Sequence, residues 1–415
     1  HTEAAAYFAR AARYDEGGAT APISQAQALL AAGEHRQAAG VLDQLSTRNL
    51  DADQRANVSA LLTLANARAG EHESVIEASR PFASGGAELE RLEPQLASAV
   101  LYERGRALTA TESPSQAEDA FSMLIERYPA SSSVPNGRLE VAAIAMADGR
   151  YREAATQCDR ILRDREDLSV AVVEQAIYRL GVCARELGDL EVAADVLAEL
   201  AERTPADRLS ASAALIAGES LLELGRMSKA AEMLEIAESS RIEEVVPVAM
   251  LRLGEANVSL QRWLAAEDVY SRFVKRYSSD PRAYLAVFGR AWSLENQGRH
   301  DAAIEGYRAV IAQHDGETAA RAQFQIGECL YAQKKYEEAV RELLRVDLVY
   351  AYPQWSAGAL YEAGRCFEEL DREADALAQF EQVVDRFGDT QWAELAQRRL
   401  GRYQQSAQQI GQQGG

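Results

Sequence analysis

Residues 327–339 read GECLYAQKKYEEA, and the alanine that ends this stretch marks a repeat that runs along the chain. The corresponding marked positions, 36 to 42 residues apart, are Ala38, Val75, Ala117, Ala154, Ala193, Ala230, Ala266, Ala303, Ala339 and Ala376. A fixed period of about 20 to 50 residues is typical of architectures in which each unit packs mainly on its neighbours. The period therefore predicts an array of ten similar units.

Each unit carries the patterns of two helices. Twelve residues before the marked position, nine of ten units have Gly or Ala, as at Gly327. Glycine inside a helix costs about 1 kcal/mol relative to alanine, so its repeated use there indicates close helix contact. Apolar residues four and seven positions after the mark, such as Leu343 and Val346, form one stripe of a second helix. Six turns between the helices contain glycine, as in GRH at 298–300, which favours helix termination.

The recurring positions for small, aromatic and apolar residues resemble those of the tetratricopeptide repeat family over nearly the whole chain. The resemblance implies an all-α, right-handed superhelical solenoid of helix-turn-helix repeats, with about ten full repeats and one helix at each end. We expect residues 1–18 to be the second helix of a truncated repeat, so that the chain begins inside a repeat. Residues 19–404 then form ten repeats and a terminal capping helix, and residues 405–415 form a polar flexible tail.

The array is irregular at residues 75–117. Pro81 falls where a second helix should continue, and Gly85 and Gly86 follow it. Proline removes a helix hydrogen bond and clashes with the preceding turn. The sequence leaves two interpretations open, a hinge and a tolerated loop insertion.

Charge limits the classes of partner. The chain has 64 acidic and 44 basic residues and a formal net charge of -20, which disfavours binding to nucleic acid or to an anionic membrane surface. No apolar run is long enough to span a bilayer, so we expect no direct membrane insertion. The sign of the charge favours a protein or peptide ligand with basic or amphipathic character.

The cysteines and histidines that could suggest a reactive site occupy repeat positions that serve for packing. Cys329 stands where Cys183 and Cys366 stand in two other units and where most remaining units have alanine or serine, so it is interpreted as a small apolar residue. Three histidines occupy the turn position that Tyr336 holds in its own unit, namely His35, His72 and His300. We therefore predict no enzyme activity, no cofactor and no metal site.

Candidate partner-binding residues lie on the first helices, which in the resembled family line the inner groove. Exposed aromatic side chains beside charged ones are typical of sites that hold a peptide or a helix. The candidates are Tyr102, Arg106, Tyr178, Arg185, Phe288, Trp292, Phe324, Glu328, Tyr331, Tyr361 and Arg365. The alternative is that many of these rings pack against the neighbouring repeat and only stiffen the array.

The sequence thus predicts a non-enzymatic scaffold that binds a protein partner in its groove. The C-terminal units resemble repeats of bacterial envelope proteins such as the Tol-Pal accessory protein and the outer-membrane β-barrel assembly lipoprotein. That resemblance implies an envelope-associated complex and a location in the bacterial envelope or periplasm, with the cytoplasm as the alternative. Two other functions stay open: a self-assembling subunit that stacks end to end, and a non-catalytic fragment of a larger multidomain enzyme.

Overall fold

The computed structural model describes residues 1–12, 18–203, 207–350 and 352–413, with side chains described up to residue 405. All regular structure in these ranges is helical, which confirms the all-α prediction. The first twelve α-helices are α1 (Thr2–Ala11), α2 (Thr20–Ala31), α3 (His35–Ser46), α4 (Ala52–Ala69), α5 (His72–Ala78), α6 (Ala87–Glu90), α7 (Pro94–Ala110), α8 (Pro114–Arg127), α9 (Val134–Ala147), α10 (Tyr151–Arg163), α11 (Val170–Glu186) and α12 (Leu190–Arg203). The remaining helices are α13 (Arg208–Glu223), α14 (Met227–Ser239), α15 (Val246–Ser259), α16 (Trp263–Arg276), α17 (Ala283–Asn296), α18 (His300–Gln313), α19 (Glu317–Ala332), α20 (Tyr336–Val349), α21 (Pro353–Glu369), α22 (Glu373–Arg386) and α23 (Gln391–Gln413).

The marked position of each unit is the fourth residue of its second helix. Ala339 follows this pattern in α20, which begins at Tyr336. All ten marked side chains are 0–1% exposed. The helix pairs thus have the predicted register, and their buried stripe lies where the repeat pattern put it.

The small residues of the first helices allow the second helices to approach closely. A Cβ atom added to Gly364 would lie 2.5 Å from a ring carbon of Phe380, four residues beyond the mark of the same unit. The same overlap would arise between Gly327 and the side chain of Leu343. Glycine at this position of the first helix therefore leaves the space that a large side chain of the second helix fills.

The turn between the helices needs a left-handed residue in every unit. Five residues before the mark, φ is positive at Gly33, Gly70, Glu112, Gly149, Gly188, Gly225, Gln261, Gly298, Lys334 and Asp371. Glycine adopts this conformation without steric cost, but four units use another residue there. All ten units thus share this turn conformation, although only six of them carry glycine at the position.

The chain forms two compact units, residues 1–196 and residues 197–415, with the boundary inside α12. Within residues 197–415, consecutive helices pack on each other. Each first helix also contacts the next first helix, in the order α13, α15, α17, α19, α21 and α23. The first helices of this unit therefore form one continuous layer.

The irregular segment at 75–117 is held by a buried arginine. Helix α5 has only 7 residues, and a single 3₁₀ turn, Arg80–Phe82, follows it. The guanidinium of Arg104 on α7 donates to the carbonyl oxygen of Ile76 at 3.2 Å and to the hydroxyl of Ser79 at 3.0 Å. These bonds satisfy polar groups at the end of the shortened helix and connect that end to α7.

Helix α23 continues to Gln413, so the backbone of residues 405–413, which belong to the predicted polar tail, is helical. Alanine and glutamine favour helix, and no proline interrupts this stretch. Residues 13–17 of the predicted first segment, and Gly414 and Gly415, lie outside the described residues.

Candidate functional site

The predicted partner-binding residues fall into both compact units. Residues 197–415 contain Phe288, Trp292, Phe324, Glu328, Tyr331, Tyr361 and Arg365, and residues 1–196 contain Tyr102, Arg106, Tyr178 and Arg185. The larger group lies on the successive first helices α17, α19 and α21. Members of this group contact one another, as Phe288 contacts Trp292 and Arg365 contacts Tyr331.

Three predicted rings are mostly inside the protein. Phe288, Phe324 and Tyr361 are 8%, 7% and 7% exposed. Phe288 lies 5.4 Å from Tyr307 and Tyr361 lies 5.6 Å from Phe380, measured between ring centroids. These rings offer little surface to a partner. Two of them contact more exposed rings, since Phe288 packs on Trp292 and Phe324 on Trp355.

A caged arginine joins three first helices. The guanidinium of Arg321 on α19 lies 4.7 Å from the ring centroid of Phe288, 4.8 Å from that of Trp292 and 5.8 Å from that of Trp355. The first two rings belong to α17 and the third to α21. Contacts of this geometry are attractive because the ring faces carry partial negative charge. Burial lowers the pKa of Arg321, opposed by Tyr307, Glu295 and Glu317.

A second group lies on α19 and α21. Arg365 donates to a carboxylate oxygen of Glu362 at 2.7 Å and to the hydroxyl of Tyr331 at 3.1 Å. Its guanidinium also lies 4.7 Å from the centroid of the Tyr331 ring. Tyr331 and Arg365 stay partly exposed, whereas Glu362 is buried. The sequence-based prediction brought Tyr331 and Arg365 to one place but missed the carboxylate that fixes the arginine.

Glu328 is a carboxylate in an unfavourable environment. Its Oε1 atom is buried and has no hydrogen-bond partner. Burial, followed by the charge of Glu362, raises the pKa of Glu328 to about 8, and Arg365 only partly opposes the rise. The group was predicted to face a partner, but the structure places most of it within the layer of first helices.

We call the partly exposed side chains Trp292, Arg321, Tyr331, Trp355 and Arg365 the aromatic–arginine face. Beside it, a cavity of about 330 Å³ opens between α15, α17 and α19. Its lining residues are Leu251, Glu255, Val258, Ser259, Tyr270, Leu285, Phe288, Gly289, Trp292, Thr318 and Arg321. Most of these contribute apolar surface, and two carry opposite charges.

The predicted residues of the other unit make local contacts. The Tyr102 ring lies 6.0 Å from Phe121, and the guanidinium of Arg106 lies 5.9 Å from the Tyr102 ring centroid. Tyr178 and Arg185 are both partly exposed on α11.

The cysteines have the environment of packing residues. All four are buried and free, namely Cys158, Cys183, Cys329 and Cys366. Burial raises the pKa of Cys183 to about 11 and that of Cys366 to about 12. Burial, then Glu295, raises the pKa of Cys329 in the same direction. Because the thiolate is the reactive form, these thiols are poor nucleophiles at neutral pH.

The described ranges contain neither a metal-binding cluster nor a membrane-spanning helix. No three His, Cys, Asp or Glu side chains there lie together so that they could hold a metal ion. Within the same ranges, no helix has both the length and the apolar character needed to cross a membrane.

Arg321 and Trp355 were missed at the level of sequence, and the reason is their position. Arg321 corresponds to Leu285 and Gly358 in adjacent units, so its column has no common character. Its position three residues before Phe324 on the same helix was the available signal, because residues at that spacing share a face. Only the packing of three helices shows that it is surrounded by rings.

Solved structures with a similar arrangement have low sequence identity to the chain. A tetratricopeptide repeat protein from Parabacteroides merdae is 16% identical, with 67% of this chain and 98% of that chain covered and a TM-score of 0.39. YrrB, a TPR protein with an unusual peptide-binding site, is 17% identical over 50% of this chain and 100% of that chain, with a TM-score of 0.38. The Naa15/Naa10 structure bound to HypK-THB is 12% identical over 93% of this chain and 61% of that chain, with a TM-score of 0.44. No curated protein matches the chain significantly.

Family profiles give the assignment. One tetratricopeptide repeat profile matches residues 142–208, 217–281, 251–318 and 288–354, and a second matches residues 99–131 and 358–390. Together they cover about two thirds of the chain, and they fall on the helix pairs described above. The chain therefore belongs to the tetratricopeptide repeat family.

Proposed function

We propose that the chain is a non-catalytic scaffold that binds a segment of a partner protein on the aromatic–arginine face. Repeat proteins of this kind offer extended surfaces that bind other proteins. The observation that supports this site is the concentration of Trp292, Tyr331 and Trp355 around two arginines on successive helices. Tryptophan, tyrosine and arginine are the residues most enriched at the energetic centres of protein interfaces.

The charge of the chain supports a basic or amphipathic partner segment. Its net charge of -20 attracts cationic segments and repels acidic ones at long range. The resemblance of the C-terminal repeats to those of bacterial envelope proteins, seen in the sequence, motivates the further proposal that the chain acts within a bacterial envelope complex. Fractionation of the source cell, followed by immunodetection of the chain, tests that location, and recovery in the cytoplasm alone would contradict it.

The face itself is tested by partner capture. Trp292, Tyr331 and Trp355 are replaced together by alanine, because these rings are partly exposed whereas truncation of Phe324 would open a cavity in the core. The variant is used as bait in an extract of the source cell, and bound proteins are quantified by mass spectrometry. We expect the specific partners of the wild-type bait to be lost while the circular dichroism spectrum stays helical.

A matched control removes exposed apolar surface elsewhere. Leu264, Leu348 and Val349 on α16 and α20 are 73%, 81% and 67% exposed. Their joint replacement by alanine should leave capture unchanged. Full capture by the face variant, or equal loss by the control, would show that the aromatic–arginine face does not bind the partner.

A further inference from the structure

The cavity beside the aromatic–arginine face is large enough for part of a peptide. Its volume of about 330 Å³ lies at the lower end of the range for ligand pockets, roughly 300–1,000 Å³. The apolar lining includes Leu251, Leu285 and Phe288. A side chain with its neighbouring backbone fits such a volume better than an extended cofactor does.

The cation that lines the cavity lacks an anionic partner. Arg321 has no carboxylate within ion-pairing distance among the described residues, and its buried Nε atom has no hydrogen-bond acceptor. Three aromatic rings surround its guanidinium and exclude part of the solvent. A charge with reduced hydration attracts an anion more strongly than the same charge in water.

The two carboxylates whose charges act on Arg321 are hydrogen-bonded to other groups. Glu295 accepts hydrogen bonds from Tyr307 at 2.5 Å and from Gln325 at 3.0 Å. Glu317 on α19 accepts one from the indole nitrogen of Trp355 at 3.0 Å. These bonds hold both carboxylates in place by contacts other than an ion pair with Arg321.

The remaining carboxylate of the cavity has its own cation. Glu255 lines the cavity and pairs with Arg252 at 3.0 Å. Glu255 and Glu317 are both exposed, so the surroundings of the cavity are acidic although the guanidinium within it is not neutralised. This arrangement suits a ligand in which one carboxylate is flanked by cations.

We propose that the cavity binds an acidic side chain that lies between apolar and basic residues of the partner segment, with Arg321 donating to its carboxylate. This inference rests on the proposed function and adds the chemistry of the segment. Guanidinium and carboxylate groups match in geometry and form paired, charge-assisted hydrogen bonds. The apolar neighbours of the acidic residue pack on the cavity lining, and the basic residues face Glu255 and Glu317.

The probe is a pair of peptides. Lysine-leucine-glutamate-leucine-lysine, with a fluorescein at its N-terminus and an amide at its C-terminus, is compared with the same peptide carrying glutamine at the centre. Fluorescence anisotropy gives both dissociation constants for the full chain. We expect the glutamate peptide to bind about tenfold more tightly or better, as charged hydrogen bonds allow.

Two variants locate the effect. Arg321→Met keeps a long side chain against the rings but removes the charge, so the two peptides should bind it equally. Arg290→Met removes a different, exposed arginine of α17 and should keep the wild-type preference. Arg321→Lys, which retains a cation, should keep part of the preference and shows that the site remains folded when residue 321 is changed.

Several results would overturn the inference. These are failure of both peptides to bind the wild type, equal binding of the two, or equal loss of preference in Arg321→Met and Arg290→Met. A glutamine peptide with a free C-terminal carboxylate tests the other source of this group; if it binds as tightly as the glutamate peptide, the claim for a side chain fails. Unchanged partner capture by Arg321→Met, with loss in the triple-alanine variant, would remove this inference and leave the proposed function intact.

Discussion

Lys334 shows how a residue that suggests chemistry can have a backbone role. It has a φ of 61° at the turn position where six units carry glycine. Its neighbours in the sequence have similar roles: Cys329 is buried in the packing column, and Tyr336 begins the second helix. A stretch that is rich in reactive residue types is therefore used mostly to build one repeat.

Lys334→Gly should stabilise the protein slightly. A left-handed conformation costs a residue with a Cβ atom roughly 1–2 kcal/mol, and the greater flexibility of unfolded glycine offsets about half of this. We expect a gain of up to about 1 kcal/mol in the free energy of unfolding, measured with a chemical denaturant. Lys335→Gly is the control, because Lys335 has a φ of -86° and gains nothing from glycine. A loss of stability in Lys334→Gly would contradict the role assigned to the turn.

Glu328 should make stability depend on pH. Its pKa of about 8 in the folded chain lies above the value of about 4.3 expected when it is unfolded. The protonated carboxyl therefore contributes stability that is complete below the unfolded value and is lost as pH rises through about 8. Glu328→Gln cannot ionise, so relative to wild type it should gain stability, on the order of 1–3 kcal/mol, between pH 5 and pH 9.

Denaturant unfolding of both proteins at the two pH values measures this difference. Glu337→Gln removes an exposed carboxylate of α20 and serves as the control for the loss of one negative charge. A constant difference between Glu328→Gln and wild type at both pH values would show that Glu328 is ionised in the folded chain throughout. Equal pH dependence in the two variants would assign the effect to net charge.

Helix pairs are the elements that set the geometry of this protein. Within a pair, a small residue on the first helix meets a large one on the second, as Gly364 meets Phe380. Between pairs, first helices contact first helices, so the side chains of α17, α19 and α21 come together in one layer. The aromatic–arginine face exists because three elements that are far apart in sequence are neighbours in that layer.

Gly327→Ala tests the contact inside a pair. The added methyl group would overlap the side chain of Leu343, so the two helices must separate or the leucine must leave its rotamer. We expect a loss of about 1–3 kcal/mol in the free energy of unfolding. Gly40→Ala is the matched control, since nothing lies within 4 Å of the added atom in α3. That variant should gain up to about 1 kcal/mol from helix propensity, and equal behaviour of the two variants would contradict the packing argument.

At the scale of the whole molecule, the repeat and the charge act together. Each compact unit repeats the same helix pair, and the chain as a whole carries a net charge of -20. Such a field speeds the approach of cationic segments without selecting among them. Selection then requires local features that differ from one repeat to the next, and Arg321 within its cage of rings is one such feature.

In the irregular unit at residues 75–117, the repeat pattern predicted the break in the helix but not the residue that bonds to it. Pro81 predicted a break in the second helix, and α5 ends early, at Ala78. The buried Arg104 that bonds to the end of this helix could not be identified in advance, because a backbone carbonyl oxygen and a serine hydroxyl give no sequence signal of a buried cation. Its role depends on how closely α7 approaches the break.

The sequence by itself determined the helix pairs, their register and their buried stripe, because these depend on local periodicity and on residue size repeated ten times. The tertiary structure decided which side chains form the candidate site. Phe288, Phe324 and Tyr361 turned inward, and Arg321 and Trp355 became part of the surface beside Trp292. The exposure of a side chain and its ion pairs depend on the residues that neighbouring helices place around it. Those residues lie about one or two repeats away in the sequence, so local periodicity does not reveal them.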